Sequence, residues 1–282
     1  VNGAYLPLAE ARVSILDRGF LFADGVYEVA AVIGGRLIDN EAHLSRLENS
    51  LRQLRIESPV PIQTIADVEA ELVARNGLNE GLVYLQITRG AASDRDFGFP
   101  SGTTPTFIAF ATKKNILASA AAETGVKVLT VSDIRWARRD IKSIALLAQV
   151  LAKQAALDAD CQEAWMVDDD GFVTEGSSST AFILTEADAI VTRPNSAAIL
   201  PGCTRKAVQS LAAREGLTIE ERSFSVNEAY EAKEAFLTSA SNLVLPVVSI
   251  DGRPIGSGAP GARSRLLRTL YIEWAMNSGA AR

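Results

Sequence analysis

One lysine and one glutamate stand where their types and surroundings suit chemistry. Lys142 lies in D-I-K-S-I-A-L-L-A-Q, between Ile141 and Ile144 at the start of an apolar stretch. An amine set among apolar side chains is poorly solvated, which favours the uncharged form that can attack a carbonyl, the chemistry of a Schiff-base lysine. Glu175 follows in V-T-E-G-S-S-S-T-A-F-I-L, with Gly176 permitting close backbone approach to a ligand and Ser177, Ser178 and Ser179 offering hydroxyls and amides. Further on, I-L-P-G-C-T-R-K opens a helix directly after Pro201-Gly202. A helix start presents free amides and a partial positive charge, so the backbone at Cys203 and Thr204 can hold a phosphate, the Thr204 hydroxyl adding a bond. Each feature also has a plain reading: a solvated lysine, a serine-rich loop, a threonine cap.

The elements that must position these groups follow from periodicity. Gly25 opens an alternating strand in which Val26, Glu28 and Ala30 point one way while Tyr27, Val29 and Ala31 point the other. Gly34-Gly35 predicts a hairpin turn. Asn40 is placed to cap a helix over 41–54 in which Leu44, Leu47, Leu51 and Leu54 share a face, with His43 and Arg46 on another. A second helix pattern covers 62–80, and two strands follow, separated by the loop A-A-S-D-R-D-F-G-F-P-S-G. Lys142 is expected near the start of a helix capped by Asp140 or Ser143, with Ile144, Leu147, Val150 or Leu151, and Ala155 facing inward. The D-D-D-G turn between E-A-W-M-V and F-V-T-E-G predicts a hairpin that ends in Glu175. Near the end, A-F-L-T-S-A-S-N-L-V-L-P-V-V-S-I-D-G reads as a strand carrying Ser239, Ala240 and Ser241, and a helix is expected over 263–276. The opening residues 1–8 read as a short polar strand and turn.

Composition limits the function classes. The chain has 282 residues, 48% of them hydrophobic, which supports a large core. A net charge of −6 and a pI near 5.1 provide no general attraction for nucleic acid or anionic membranes. Cys161 and Cys203 can pair only once, neither has a neighbour at metal-ligand spacing, and His43 is the sole histidine, so neither a disulfide framework nor a metal centre is expected. No apolar run approaches a membrane span, and a cytoplasmic location is the default expectation.

The segment around Lys142 together with T-E-G-S-S-S-T-A-F resembles the fold type IV pyridoxal-phosphate enzymes, the family of D-amino-acid aminotransferases, branched-chain aminotransferases and aminodeoxychorismate lyases. The resemblance runs from the first strand to the last helix. It implies an α/β (α+β) fold of two α/β domains with pyridoxal 5'-phosphate at their junction. The boundaries then read as a small domain over 1–115, a linker over 116–124 and a larger domain over 125–282. It implies that Lys142 binds the cofactor covalently and that Glu175 pairs with the protonated pyridine nitrogen so that the ring acts as an electron sink. Arg46, in H-L-S-R-L, matches a phosphate ligand, as do Cys203 and Thr204, with Ala240 and Ser241 near the phosphate and Ser178 also on the cofactor. Tyr27 and Val29 match pocket residues, with ordinary sheet core as the other reading; His43 serves either the substrate side or a hydrogen bond within its helix. In D-amino-acid aminotransferases an Arg-x-His pair in the loop after T-R-G traps the substrate carboxylate, reaching in from the partner subunit. This chain has Arg95-Asp96-Phe97 there, so the histidine is replaced. Arg95 is the expected cation, Arg89 the fallback, and an ion pair of Arg95 with Asp94 or Asp96 the plain alternative.

The resemblance therefore implies a transaminase moving an amino group from a D-amino acid such as D-alanine to a 2-oxo acid such as 2-oxoglutarate, working as a homodimer with shared active sites. Aminodeoxychorismate lyase and (R)-selective amine transaminase are the alternatives within the family, and a catalytically silent scaffold is the alternative outside it.

Overall fold

In a computed structural model that describes residues 1–277, a short helix, α1 (Arg18–Phe22), precedes the alternating run from Gly25, which forms β1 (Gly25–Ile33). The Gly34-Gly35 pair takes left-handed φ values of +59° and +72°, which suit glycine, and returns the chain into β2 (Arg36–Leu37). The helical period in 40–54 gives α2 (Asn40–Leu54), and the next apolar pattern gives α3 (Ile62–Arg75), ending before Gly77. β3 (Glu80–Thr88) and β4 (Thr106–Lys113) complete an antiparallel sheet in the order β2-β1-β3-β4. One face of this sheet carries Val26, Leu85, Ile87 and Phe107, which pack with Leu44, Leu47 and Leu51 of α2 and Ile65 of α3. The registers Tyr27↔Gln86 and Val29↔Tyr84 place Tyr27, Val29, Tyr84 and Gln86 on the opposite face.

These elements form one compact unit, Val1–Lys114, together with Ile141–Ala145; the other is Asn115–Asp140 with Leu146–Arg282. The boundaries read from the sequence had no place for a five-residue return of the chain to the first unit. The second unit begins with α4 (Ala120–Thr124) and β5 (Val126–Ser132), followed by α5 (Leu147–Asp158), β6 (Glu163–Val167), β7 (Val173–Gly176), β8 (Thr180–Leu184) and β9 (Ile190–Thr192). Then come α6 (Cys203–Arg214), β10 (Ile219–Glu221), α7 (Val226–Tyr230), β11 (Glu234–Ser239), β12 (Leu243–Ile250), β13 (Arg253–Pro254) and α8 (Ala262–Asn277). Its mixed sheet runs β10-β9-β8-β11-β12-β5-β6-β7, with β13 on β12. The core includes Val126, Val128, Trp165, Ile183, Phe224 and Leu237. No helix of the described residues is long and apolar enough to cross a membrane.

Several local expectations are corrected. Residues 1–7 form no strand; Asn2 instead exchanges two 2.8 Å hydrogen bonds with the backbone of Phe107. Helix α1 was not foreseen; it is capped by Asp17, whose carboxylate accepts from the Gly19 amide at 2.8 Å. Asp39, not Asn40, stands at the N-cap of α2, and the Asn40 side chain donates to Glu69. The helix expected at Lys142 begins only at Leu147, because the amide of Ile144 is bonded to Gly25 O of β1. Its inward face was also misread: Leu147, Val150 and Leu151 are more than half exposed, while Ala152 and Ala156 pack with Cys161, Ala164 and Met166. A helix with so many apolar positions has no single stripe from which to read burial. Finally, Ser239, Ala240 and Ser241 lie where β11 turns into β12, with Leu243 at φ +59°, and not within one strand.

One buried carboxyl sits between the two longer helices of the first unit. Glu69 of α3 is 1% exposed and accepts Asn40 Nδ2 at 2.8 Å, and the buried Asn40 Oδ1 has no hydrogen-bond partner. Burial pushes Glu69 up from 4.5 to about 7, and the nearby Glu28 charge adds to the rise against the opposing pull of Asn40 and His43. Since the folded value is raised, the associated stability is fully present below pH 4.5 and is lost as pH rises through about 7. We expect this group to cost on the order of 2–3 kcal/mol of unfolding free energy between pH 5 and pH 8, and Glu69→Gln to remove that slope. Urea unfolding across this range checks it; parallel pH profiles for the two proteins would contradict it.

Candidate active site

The first unit fixes Lys142 through its backbone. The Tyr27 amide donates to Lys142 O at 3.0 Å, the Ile144 amide donates to Gly25 O at 3.1 Å, and Ser143 bridges to Val26. The Lys142 amide donates to the buried Ser50 Oγ at 3.2 Å. A Cβ on Gly25 would lie 2.8 Å from Ile87 O and 3.0 Å from the Ile144 side chain, so a glycine is needed where this segment joins the sheet. With its backbone held, Lys142 sets Nζ 4.1 Å above the centre of the Tyr27 ring. Among the described residues, no carboxylate forms an ion pair with it. Tyr27 stacks on Tyr84 at 5.7 Å, and Tyr84 on Phe110 at 5.0 Å, which makes an aromatic wall beside the amine. Burial, then the neighbouring Tyr27, pushes the Tyr84 phenol up to about 12, so it is a neutral donor to Gln86 Oε1 at 2.8 Å. Val29 is half-buried on the same face of the sheet.

Behind β1 lies a charged cluster. Glu28, 1% exposed, accepts from Arg46 Nε at 2.8 Å and Nη2 at 2.7 Å, and pairs with His43 Nδ1 at 2.8 Å. Burial alone would raise Glu28; the Arg46 charge and the bonds from Arg46 and His43 outweigh it and hold the carboxyl near 2. Arg46 is thereby held rigidly, and His43 is a buried, hydrogen-bonded helix residue. Sequence reasoning passed over Glu28, although the alternation already put this acid on the apolar side of its strand.

Of the two arginines proposed for a substrate carboxylate, Arg89 is buried and four of its five N–H donors are engaged. It donates to both oxygens of Asp24 at 2.8 and 2.9 Å and to the carbonyls of Arg55 and Leu54 at 2.8 Å. Arg18 also binds Asp24 at 2.8 Å, which lies below the usual carboxylate range because the two arginines outweigh burial. Arg95 is exposed, with its guanidinium 5.0 Å from the Phe22 ring and 5.5 Å from that of Phe97, and makes no ion pair with Asp94 or Asp96 among the described residues.

In the second unit, Glu175 lies at the end of β7 and is 5% exposed. Arg135 Nη1 donates to its Oε1, and the Leu200 amide approaches both oxygens at 3.2 and 3.3 Å. Arg135 in turn grips Asp133, at 2.9 and 2.7 Å, whose carboxyl is held below its usual range because Arg135 and Thr174 outweigh burial. No local sequence signal marks Asp133 or Arg135; they matter because the fold sets them beside Glu175. Gly176 begins a tight turn closed by its amide on Ser179 O at 2.7 Å, and Ser178 is exposed at its tip. Helix α6 starts at Cys203 with Gly202 as N-cap and no side-chain cap bond, and Thr204 is buried in its first turn. Ser239 and Ser241 approach Oγ to Oγ at 3.4 Å around Ala240, beside the buried, unpartnered Thr238 Oγ1.

Residues 25–250 match the family described as amino-transferase class IV. The chain is 38% identical over 268 residues to a D-alanine aminotransferase of Bacillus licheniformis, covering 95% of this chain and 93% of that one. It is 36% identical to that of Staphylococcus haemolyticus, covering 97% of each. Among solved structures it matches a T.th. branched-chain amino acid aminotransferase with pyridoxamine 5'-phosphate at a TM-score of 0.89 and 27% identity, over 97% of this chain and 92% of the other. A fold and sequence alike over almost their whole length, around a fastened lysine and a buried glutamate, lead to one conclusion: the chain belongs to the class IV aminotransferases and has their fold type IV architecture.

Proposed function

We propose that this protein is a pyridoxal-phosphate-dependent transaminase that carries the amino group of a D-amino acid such as D-alanine to a 2-oxo acid such as 2-oxoglutarate. The observation that carries this reading is the near full-length likeness to D-alanine aminotransferases. The residues present fit the cofactor: an amine without a carboxylate partner among the described residues, a carboxylate held in place by Arg135, and a twelve-residue helix whose N-terminus has no side-chain cap. When bound, the cofactor supplies an aldehyde that condenses with amines and a protonated ring that withdraws electrons.

The chain's own groups then take these roles. Lys142 Nζ would hold the cofactor through its aldehyde carbon and, once freed by the substrate amine, would carry the proton between the substrate α-carbon and the cofactor C4′. Glu175, held and aimed by Arg135 and the Leu200 amide, would accept the hydrogen bond of the ring N–H. In the first unit Arg46, fixed by Glu28, would serve as a phosphate ligand; in the second unit the amides of Cys203 and Thr204, the Thr204 hydroxyl, and the turn at Ala240 and Ser241 would do so. Ser178 adds a hydroxyl. Tyr27 and Val29 border the substrate, and His43 acts through Glu28. Arg95 is a better candidate than Arg89 for the substrate carboxylate, because Arg89 is buried and four of its five N–H donors are engaged by Asp24 and two carbonyls. The working form is a cytoplasmic homodimer; the exposed Leu147, Val150 and Leu151 of α5 suit a contact between copies.

A second reading has one specific support. Phe97 stands where the Arg-x-His pair would place its histidine, and its ring packs at 5.2 Å on Phe22. A carboxylate site with one cation and aromatic neighbours also suits an (R)-amine donor.

The purified enzyme with D-alanine and 2-oxoglutarate should form pyruvate and D-glutamate, faster than it turns over (R)-phenylethylamine or aminodeoxychorismate. Absence of oxo-acid-dependent turnover with every D-amino acid would rule the reading out. Lys142→Ala should lower the rate on the order of 10⁴-fold and abolish the yellow absorption of the holoenzyme. Arg135→Leu leaves Asp133 and Glu175 buried without the cation between them, and should lower unfolding free energy by roughly 3 kcal/mol or more in urea titrations.

A further inference from the structure

The serine turn after Glu175 is braced by an acid that the sequence did not single out. Glu163 opens β6, is 4% exposed, and accepts three hydrogen bonds: from the Ala164 amide at 2.9 Å, from Ser177 Oγ, and from Ser179 Oγ at 3.0 Å. Among the described residues, no lysine, arginine or histidine pairs with it. A buried carboxylate without a counter-cation costs folding free energy, and charge-assisted hydrogen bonds offset that cost. An apolar side chain of similar size would bring no such cost, so an acid at this buried position needs an explanation.

That explanation lies in donor and acceptor direction. An ionised carboxylate only accepts, so both serine hydroxyls must turn their hydrogens toward Glu163; an amide in its place would donate from one end and let one serine reverse. The backbone permits no slack, since Gly176 N–H meets Ser179 O at 2.7 Å, Ser177 N–H meets Ala164 O at 3.0 Å, and a Cβ on Gly176 would fall 2.1 Å from Ser179 Oγ. Two of the three hydroxyls are therefore consumed inward. Ser178, at the exposed tip, keeps its hydroxyl for a ligand.

The geometry points to Glu163 as a positioning residue: by drawing Ser177 and Ser179 inward it fixes the turn so that Ser178 faces outward to bond the cofactor. This inference rests on the cofactor reading above and adds the group that prepares the turn. Glu163 does not touch the cofactor itself.

The test is a double-mutant cycle on apoprotein, read as the affinity for pyridoxal 5'-phosphate in absorbance titrations, with unfolding midpoints recorded alongside. Ser178→Ala and Glu163→Gln should each weaken cofactor binding about 5- to 10-fold, and the double variant should be no weaker than Ser178→Ala alone, because contacting or coupled groups do not add. A residue that only stabilises the sheet would lower the unfolding midpoint while leaving the two losses in affinity multiplicative. Multiplicative losses, or unchanged affinity in Glu163→Gln, overturn the inference. If Glu163→Gln does not fold, Ser177→Ala, which removes one of the same bonds from the other side, takes its place in the cycle with the same two outcomes. A wild-type apoprotein that takes up no pyridoxal 5'-phosphate overturns the cofactor reading and this inference together; uptake with multiplicative losses overturns this inference alone.

Discussion

The hydrogen bond from the Tyr27 amide to the carbonyl of Lys142 is the constraint on which the first half of the site depends. It makes a short segment, remote in sequence from β1, behave as part of that strand. With Ser50 holding the other side of the same residue, the Lys142 backbone cannot rotate, and the amine is delivered over the Tyr27 ring by a side chain with a fixed root. A lysine on the first turn of a helix would have had neither restraint. The cost is that residues 141–146 give up helix formation, and α5 starts after them.

Elsewhere the molecule repeatedly buries carboxylates and decides their state through the partner. Glu28 has a bidentate arginine and a histidine and stays ionised. Glu69, one helix away, has only an amide donor and is pushed toward its neutral form. Asp133 and Glu175 share Arg135, while Glu163 is served by one amide and two hydroxyls. Burial by itself disfavours charge at Glu28 and Glu69 alike; what separates these two is that an arginine reaches one and only an amide donor the other. A fixed charge also fixes direction. Glu28 aims Arg46, Arg135 aims Glu175, and Glu163 takes hydrogen bonds from Ser177 and Ser179, so each of these side chains is held by a buried partner.

Much of this organisation is written in the chain. The alternation after Gly25, the Gly34-Gly35 turn, the leucine period of α2, the D-D-D-G hairpin and the helix after Pro201-Gly202 all depend on neighbours a few residues apart, and each of these elements formed as read. Lys142 and Glu175 could be singled out as candidates for the same reason, because their surroundings are local: flanking isoleucines in one case, a glycine and serines in the other. Tertiary structure decided the rest, through partners distant in sequence. The Lys142 segment was taken by β1, the apolar face of α5 was left exposed, and Arg89 was tied to Asp24 and two carbonyls. Local sequence sets the propensity of a backbone and the type of a side chain. Which hydrogen bonds that backbone makes, and which charge meets a buried acid, depend on what the fold brings beside it.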